Sequence, residues 1–334
     1  MQAMADTAKL DPCSGCCTVY YCIAAVTTLG ALFFFRQYVK GPAYKGKEKL
    51  NGKTVIITGA NTGIGKETAK DLARRGGRII LACRDIERAN QARDEIIQET
   101  DNNNVVVYKL DLASFDSIRE FCKKFNETEE RLDILINNAG VMMCPRMLTQ
   151  DGLEMQIGVN HFGHFLLTNL LLDKLKQSAP SRIVIVSSTM HITGKINFED
   201  INSDKYYSSV SAYAQSKLAN ILHMRGLMKR LVGTGVTVNS LHPGAVDTEL
   251  QRHLFFSYLP IARQLTYPIR SLFFKTPVQG AQTTLYAALD PSLETVSGKY
   301  FSHCRASPPS KRALDDETAE KLWQISEEIT KGEK

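Results

Sequence analysis

Short β-branched runs alternate with amphipathic helical stretches from Lys53 onward, and each run is apolar on both faces. A glycine-rich turn follows the first run. These features predict an α/β fold: a doubly wound parallel sheet covered by helices on both sides. Strand 54–57 precedes the glycine turn and a helix to about Arg75. Strand 78–82 leads to helix 86–99, and strand 105–108 to a helix starting at Ser114, whose hydroxyl suits an N-cap. A long helix, about 153–176, separates the fourth strand, 134–136, from the fifth, 183–186. Helix 210–232 leads to a sixth strand, 236–239, and Pro308-Pro309 precedes a closing amphipathic helix near 315–330. No internal repeat or low-complexity linker interrupts the pattern. Residues 51–302 therefore read as one domain, and 303–334 as a C-terminal tail helix.

The 334 residues are 43% hydrophobic and 23% charged, enough for a sizeable core and unlike a disordered or disulfide-stapled chain. The net charge of +6 is unevenly placed. Residues 1–35 hold only Asp6, Lys9 and Asp11, whereas 36–53 hold Arg36, Lys40, Lys45, Lys47, Lys49 and Lys53 against Glu48. Only +2 is left for the other 281 residues, which gives a nucleic-acid partner little support. Ahead of the basic stretch, Cys17 to Phe35 is uncharged, and its nineteen residues span about 28 Å as a helix, close to a bilayer's hydrocarbon thickness. Residues 1–50 thus read as a tail, a single-pass anchor (about 17–35) and a basic linker whose charge turns the domain toward the cytosol. A cleaved signal peptide would want a basic n-region and a small-x-small site, neither of which is clear here. Cys13-x-x-Cys16-Cys17 lacks the second pair or histidine cluster that zinc would need, so no metal is expected; juxtamembrane acylation is the other reading.

Thr58-Gly59-Ala60-Asn61-Thr62-Gly63-Ile64-Gly65 joins the first strand to the first helix. Glycines there let the backbone turn tightly and approach a pyrophosphate at the helix N-terminus, the arrangement of a Rossmann-type dinucleotide site. Packing alone also puts glycines in such loops. After the second strand comes Cys83-Arg84-Asp85, so a base precedes the acid. Arg84 offers a planar fork for a ribose 2′-phosphate, which favours NADP(H) over NAD, and Lys66 could add charge. The plain alternative is an Arg84–Asp85 surface pair.

Tyr213 and Lys217 stand at i and i+4, on one helical face. A phenol near pKa 10 is a poor base at neutral pH, and a neighbouring ammonium lowers that value. Ser187 and Ser188 end the fifth strand, at the sheet edge where open α/β folds bind ligands, and a hydroxyl there suits a carbonyl oxygen or a turn cap. Asn137-Asn138-Ala139-Gly140 follows the fourth strand, and Asn160 is an amide in an apolar helix, either functional or a satisfied core group. His161 and His164 in the same helix read as structural. His242-Pro243-Gly244-Ala245-Val246-Asp247-Thr248 ends the sixth strand.

Taken together, Thr58 to Gly65, Asn137 to Gly140, Asn160, Ser188, Tyr213/Lys217 and Pro243-Gly244 resemble the short-chain dehydrogenase/reductase family over residues 50–302. Leu81 to Asp85, Val159 to Thr168 and Ala212 to Asn220 are similar to the membrane-bound retinol dehydrogenases of types eleven to fourteen; Asn169 to Lys176 and Gly298 to Phe301 point to thirteen and fourteen. The resemblance implies an NADP(H)-dependent oxidoreductase acting on a lipophilic aldehyde or alcohol, retinal/retinol foremost. It implies Tyr213 as general acid/base, Lys217 on the ribose hydroxyls, Ser188 on the substrate carbonyl and Asn160 holding a water. It also implies cofactor contacts at Gly59, Asn61, Thr62, Gly63, Ile64, Gly65, Arg84, Asp111, Leu112, Asn138, Ala139, Gly140, Pro243, Gly244, Val246 and Thr248. Alternatives are a reductase of steroid or lipid-derived carbonyls, or an idle membrane-tethered NADP-binding scaffold. Family members commonly pair through the helices holding Asn160 and Tyr213, so a homodimer is an expectation. Relatives of this kind sit in the endoplasmic reticulum, the first expectation, or in mitochondria. Residues 250–275, rich in Phe, Leu and Tyr among Arg and Lys, read as a substrate lid, dipping toward the bilayer or simply covering the site.

Overall fold

The computed structural model describes residues 12–250 and 267–331; the 251–266 part of the expected lid lies outside the described residues. Helix α1 (Pro12–Lys40) precedes the domain. Then come β1 (Thr54–Thr58), α2 (Gly63–Arg74), β2 (Arg78–Cys83), α3 (Ile86–Thr100), β3 (Val105–Lys109), α4 (Phe115–Thr128) and β4 (Ile134–Asn137). Helix α5 is composite: Met155–Ile157, a π turn Gly158–Phe162, and Gly163–Gln177. The chain continues through β5 (Ser181–Val186), α6 (Ser209–Arg230), β6 (Val236–Leu241), α7 (Tyr267–Phe273), α8 (Pro277–Leu289), β7 (Tyr300–Ser302), β8 (Arg305–Ala306) and α9 (Asp316–Lys331).

The sheet runs β3-β2-β1-β4-β5-β6-β7-β8, parallel except for the β7–β8 pair. Strand order reverses beside β1, so the carboxyl ends of β1 and β4 frame a crevice, the place where such sheets bind ligands. Side-chain alternation splits the core in two. Ile56, Ile80, Leu135, Ile183 and Ile185 pack beneath α4, α5, α6 and α9. Val55, Ile57, Ile79, Leu81, Ile136 and Val184 pack beneath α2, α3 and α8. Both faces of every central strand are thus buried, which is why the strands read as unbroken Val/Ile runs rather than alternating ones.

The structure departs from the sequence expectations in two places. The long helix from 153 is not a uniform α-helix, because the π turn inserts a residue at Asn160. Helix α8 and the edge strands β7 and β8 are additional elements. The C-terminal helix lies against α6: Trp323 is buried, its ring would clash with a Cβ on Gly226, and the Arg230 guanidinium sits 4.0 Å over it. Ion pairs Arg225–Asp316 and Arg230–Glu320 flank that contact.

Candidate active site

The cleft begins at the glycine turn. Gly59 and Gly63 have φ of +64° and +58°, conformations that favour glycine. A Cβ on Gly65 would lie 2.4 Å from the Gly59 carbonyl oxygen and 2.7 Å from Asn138 Nδ2, so only glycine lets the turn close. Thr62 is the N-cap of α2 but its side chain caps nothing, which leaves the first-turn N–H groups facing the cleft. Asn61, Ile64, Arg84, Asp111, Leu112, Asn138, Ala139, Gly140 and Thr248 line the same cleft. An N-terminal dipole without a capping side chain, beside a turn that admits no Cβ, fits a pyrophosphate.

At the ribose end, Asp85 does not pair with Arg84. Its carboxylate caps α3 by accepting from the Arg88 N–H at 3.1 Å. Arg84 is exposed on the rim and has no ion-pair partner among the described residues. Lys66 does not add a free charge, because it pairs with Glu95 across to α3. The sequence reading overlooked Arg88, which also lines the cleft and pairs with Glu249 at 2.6 Å.

Thr58, the last residue of β1, organises the centre. Its hydroxyl oxygen accepts from the Asn138 and Ala139 N–H groups, both at 2.9 Å, which pins the loop after β4 to the glycine turn. Its proton goes to His164 Nε2 at 2.9 Å, and His164 Nδ1 donates to the Asn160 carbonyl at 3.1 Å. A carbonyl can only accept, so this fixes the tautomer. Burial pushes the imidazole down to about pKa 4, and it stays neutral. His164 is a link that sequence reasoning missed; its spacing of one turn from Asn160 was the available clue.

The Asn160 side chain is engaged at both ends: Oδ1 accepts from the Val141 N–H, while Nδ2 donates to the Val141 carbonyl and to Ser216 Oγ. Oδ1 and the main-chain carbonyl, which accepts from His164, each keep a second lone pair for a further donor. The two serines divide their work. Ser187 donates to the Lys217 carbonyl at 2.7 Å and is buried, while Ser188 accepts from the Met190 N–H and lies near enough to the Tyr213 phenol to act on its pKa. Lys217 Nζ donates to the Val186 carbonyl at 3.3 Å and lies 5.7 Å from the centre of the Tyr213 ring. A Cβ on Gly140 would sit 3.0 Å from Asn160 Oδ1 and 3.5 Å from Lys217 Nζ, so the cleft and the Tyr–Lys pair adjoin.

Burial drives the Tyr213 pKa up to about 12, opposed by the Ser188 hydroxyl, and drives the Lys217 pKa down to about 8. The ammonium is turned to the Val186 carbonyl. After β6, Gly244 (φ +91°) turns the chain, its N–H donating to His242 Nδ1, and Pro243 precedes it in the same turn. Val246 packs on Gly280, and Thr248 sits beside Gly63.

The sequence profile of short chain dehydrogenases matches residues 53–257. The chain belongs to the short-chain dehydrogenase family. It is an oxidoreductase, and the cofactor of that family is a nicotinamide dinucleotide. Among curated short-chain dehydrogenases, it is 53% identical to retinol dehydrogenase 13 of Homo sapiens over 301 residues, covering 90% of this chain and 91% of that one. It is 49% identical to retinol dehydrogenase 14 of Mus musculus over 314 residues, covering 89% and 93%. Among solved structures, an uncharacterized protein from Mycobacterium paratuberculosis superposes with a TM-score of 0.70 at 36% identity, covering 87% of this chain and 98% of that one. A short chain dehydrogenase from Escherichia coli CFT073, complexed with NADPH, superposes at 0.61 with 25% identity, covering 78% and 99%.

Proposed function

We propose that this short-chain dehydrogenase uses NADPH to reduce lipophilic aldehydes, all-trans-retinal foremost, from a single-pass anchor in the endoplasmic reticulum with the domain in the cytosol. The observation that carries the chemistry is the buried Tyr213–Lys217 pair, with Nζ 5.7 Å from the ring, adjoining the glycine-turn cleft at Gly140. The cofactor, when bound, supplies a hydride to the carbonyl carbon. The chain's own residues do the rest. Ser188 donates to the carbonyl oxygen and fixes its position, and Tyr213 delivers the proton that the developing alkoxide needs. A buried phenol with a pKa near 12 is protonated at every physiological pH, which suits an acid for reduction. Lys217 holds the ribose hydroxyls, and the Asn160 carbonyl, oriented by the π turn, holds the water that returns the proton to Tyr213. Retinoid preference draws support from the retinol dehydrogenase relatives, and NADP preference from the unpaired Arg84 fork on the rim.

The test compares wild type with Tyr213→Phe in detergent, with NADPH or NADH and a panel of all-trans-retinal, a steroid ketone and a long alkanal. Retinal turnover with NADPH in wild type alone is the expected result. Equal background oxidation in both proteins would leave only a binding module. Turnover of the other carbonyls without retinal would move the substrate to the steroid or lipid-aldehyde class. Arg84→Ala should erase the preference for NADPH over NADH while sparing NADH turnover.

A further inference from the structure

Among the described residues, helix α1 touches the domain at its C-terminal end, and those contacts fix how the domain meets a membrane. Val19–Lys40 has a mean hydropathy of 1.5 and none of it is buried. In its last turns, Arg36 Nη1 donates to the Phe274 carbonyl at 3.1 Å and Nη2 reaches Gln279 Oε1 at 3.4 Å. The Phe35 and Phe273 rings meet edge to face at 5.4 Å, and Tyr38 stacks on His303 at 5.8 Å. Phe35 closes the uncharged run whose length matches the hydrocarbon core, so it marks the hydrocarbon–headgroup boundary, with Arg36 among the headgroups. Phe273, in contact with Phe35 and half exposed, stands at the same depth.

We propose that the face formed by α7 and the α7–α8 turn is a docking surface for a phospholipid bilayer, with α1 as a rigid strut rather than a loose tether. Exposed Phe33, Phe34, Phe273 and Val278 supply its apolar part, and Arg36 and Lys40 its cationic rim. This surface is stitched to the site. Immediately after α7, the Lys275 N–H donates to the Ala245 carbonyl at 2.7 Å, and the Asp247 N–H donates to the Lys275 carbonyl at 3.0 Å. That ties the boundary to the 243–248 loop whose Thr248 lines the cofactor cleft. The site therefore opens beside the lipid, and an aldehyde dissolved in the bilayer reaches it without crossing water. The entry route rests on the carbonyl-reductase reading above; the docking itself does not.

The experiment uses the full chain in phosphatidylcholine vesicles containing phosphatidylserine, with bromine placed on the acyl chains near the headgroups. The one native tryptophan, Trp323, is buried and gives a constant background. Phe273→Trp should lose most of its added emission to the bromines. Val232→Trp, which lies past the end of α6 under the opposite edge of the sheet and is 81% exposed, should lose none. Equal quenching of both, or of neither, overturns the docking. Because this readout needs no turnover, it stands even if the proposed reaction is wrong. The entry route is read separately with Val278→Glu, on the same face but outside the lid range, whose KM for a long-chain aldehyde delivered in the vesicles should rise several-fold. Its kcat, and its KM for a short water-soluble aldehyde, should stay at wild-type values. A uniform change for both aldehydes overturns entry from the bilayer.

Discussion

Replacing Lys217 with methionine should separate stability from function. Lys217 is 3% exposed, and burial lowers its pKa from 10.5 to about 8. At pH 7 the folded chain holds an ammonium that water would hold better, and the drop corresponds to about 3 kcal/mol. Below pH 8 the lysine is protonated both folded and unfolded, and the whole penalty applies. Between pH 8 and 10.5 the unfolded chain keeps the proton while the folded chain has released it, so stability rises with pH through that window. Methionine has nearly the same reach without the charge. Losing Nζ removes one donor from the Val186 carbonyl, but Asn220 Nδ2 donates to the same oxygen at 3.1 Å, so no buried acceptor is orphaned. The weak attraction of Nζ for the Tyr213 ring is also lost, so the net gain is about 2 kcal/mol. Lys217→Met should therefore be more stable than wild type at pH 7, show a smaller rise from pH 8 to 10.5, where the buried Lys275 keeps its own share, and turn over no substrate. Urea titrations of the cofactor-free, detergent-solubilised chain across that pH range measure it. A variant less stable than wild type at pH 7, or one that keeps the whole alkaline rise, refutes the idea that Lys217 is an uncompensated buried charge. The same titration predicts that wild-type reduction falls above about pH 8, as the ammonium that orients the ribose is lost.

Gly65→Ala drives a methyl against the Gly59 carbonyl and the Asn138 amide, so it should raise the KM for the dinucleotide at least tenfold in steady-state assays. His164→Leu leaves the Thr58 hydroxyl only the distant Ile136 carbonyl, at 3.5 Å, as acceptor and should cost about 1 kcal/mol in chemical denaturation. Trp323→Ala opens a cavity between α9 and α6 and should cost about 3–5 kcal/mol by the same measurement, while the KM for cofactor stays unchanged.

The central strands were legible because burial on both faces leaves only Val, Ile and Leu able to fill them, as in Thr54–Thr58 and Ser181–Val186. Edge strand Tyr300–Ser302 is too short to show any period. Helix α8 carries a capping box at Thr276 and Gln279, a local mark that was readable but went unread. The π turn at Asn160 leaves no such mark. A single inserted residue barely shifts a helical apolar stripe, and His164, polar and one turn on, is the visible trace of the group it must hold.

The i,i+4 spacing of Tyr213 and Lys217 was legible in the same way, but spacing fixes a face and not a direction. The lysine stem runs to the Val186 carbonyl at the end of β5, a contact 31 residues distant in sequence. That tertiary contact is something spacing along one helix cannot show. Burial acts on both groups at once, raising Tyr213 and lowering Lys217, and so favours the neutral form of each. A site built this way holds its proton on the phenol until another charge arrives beside it.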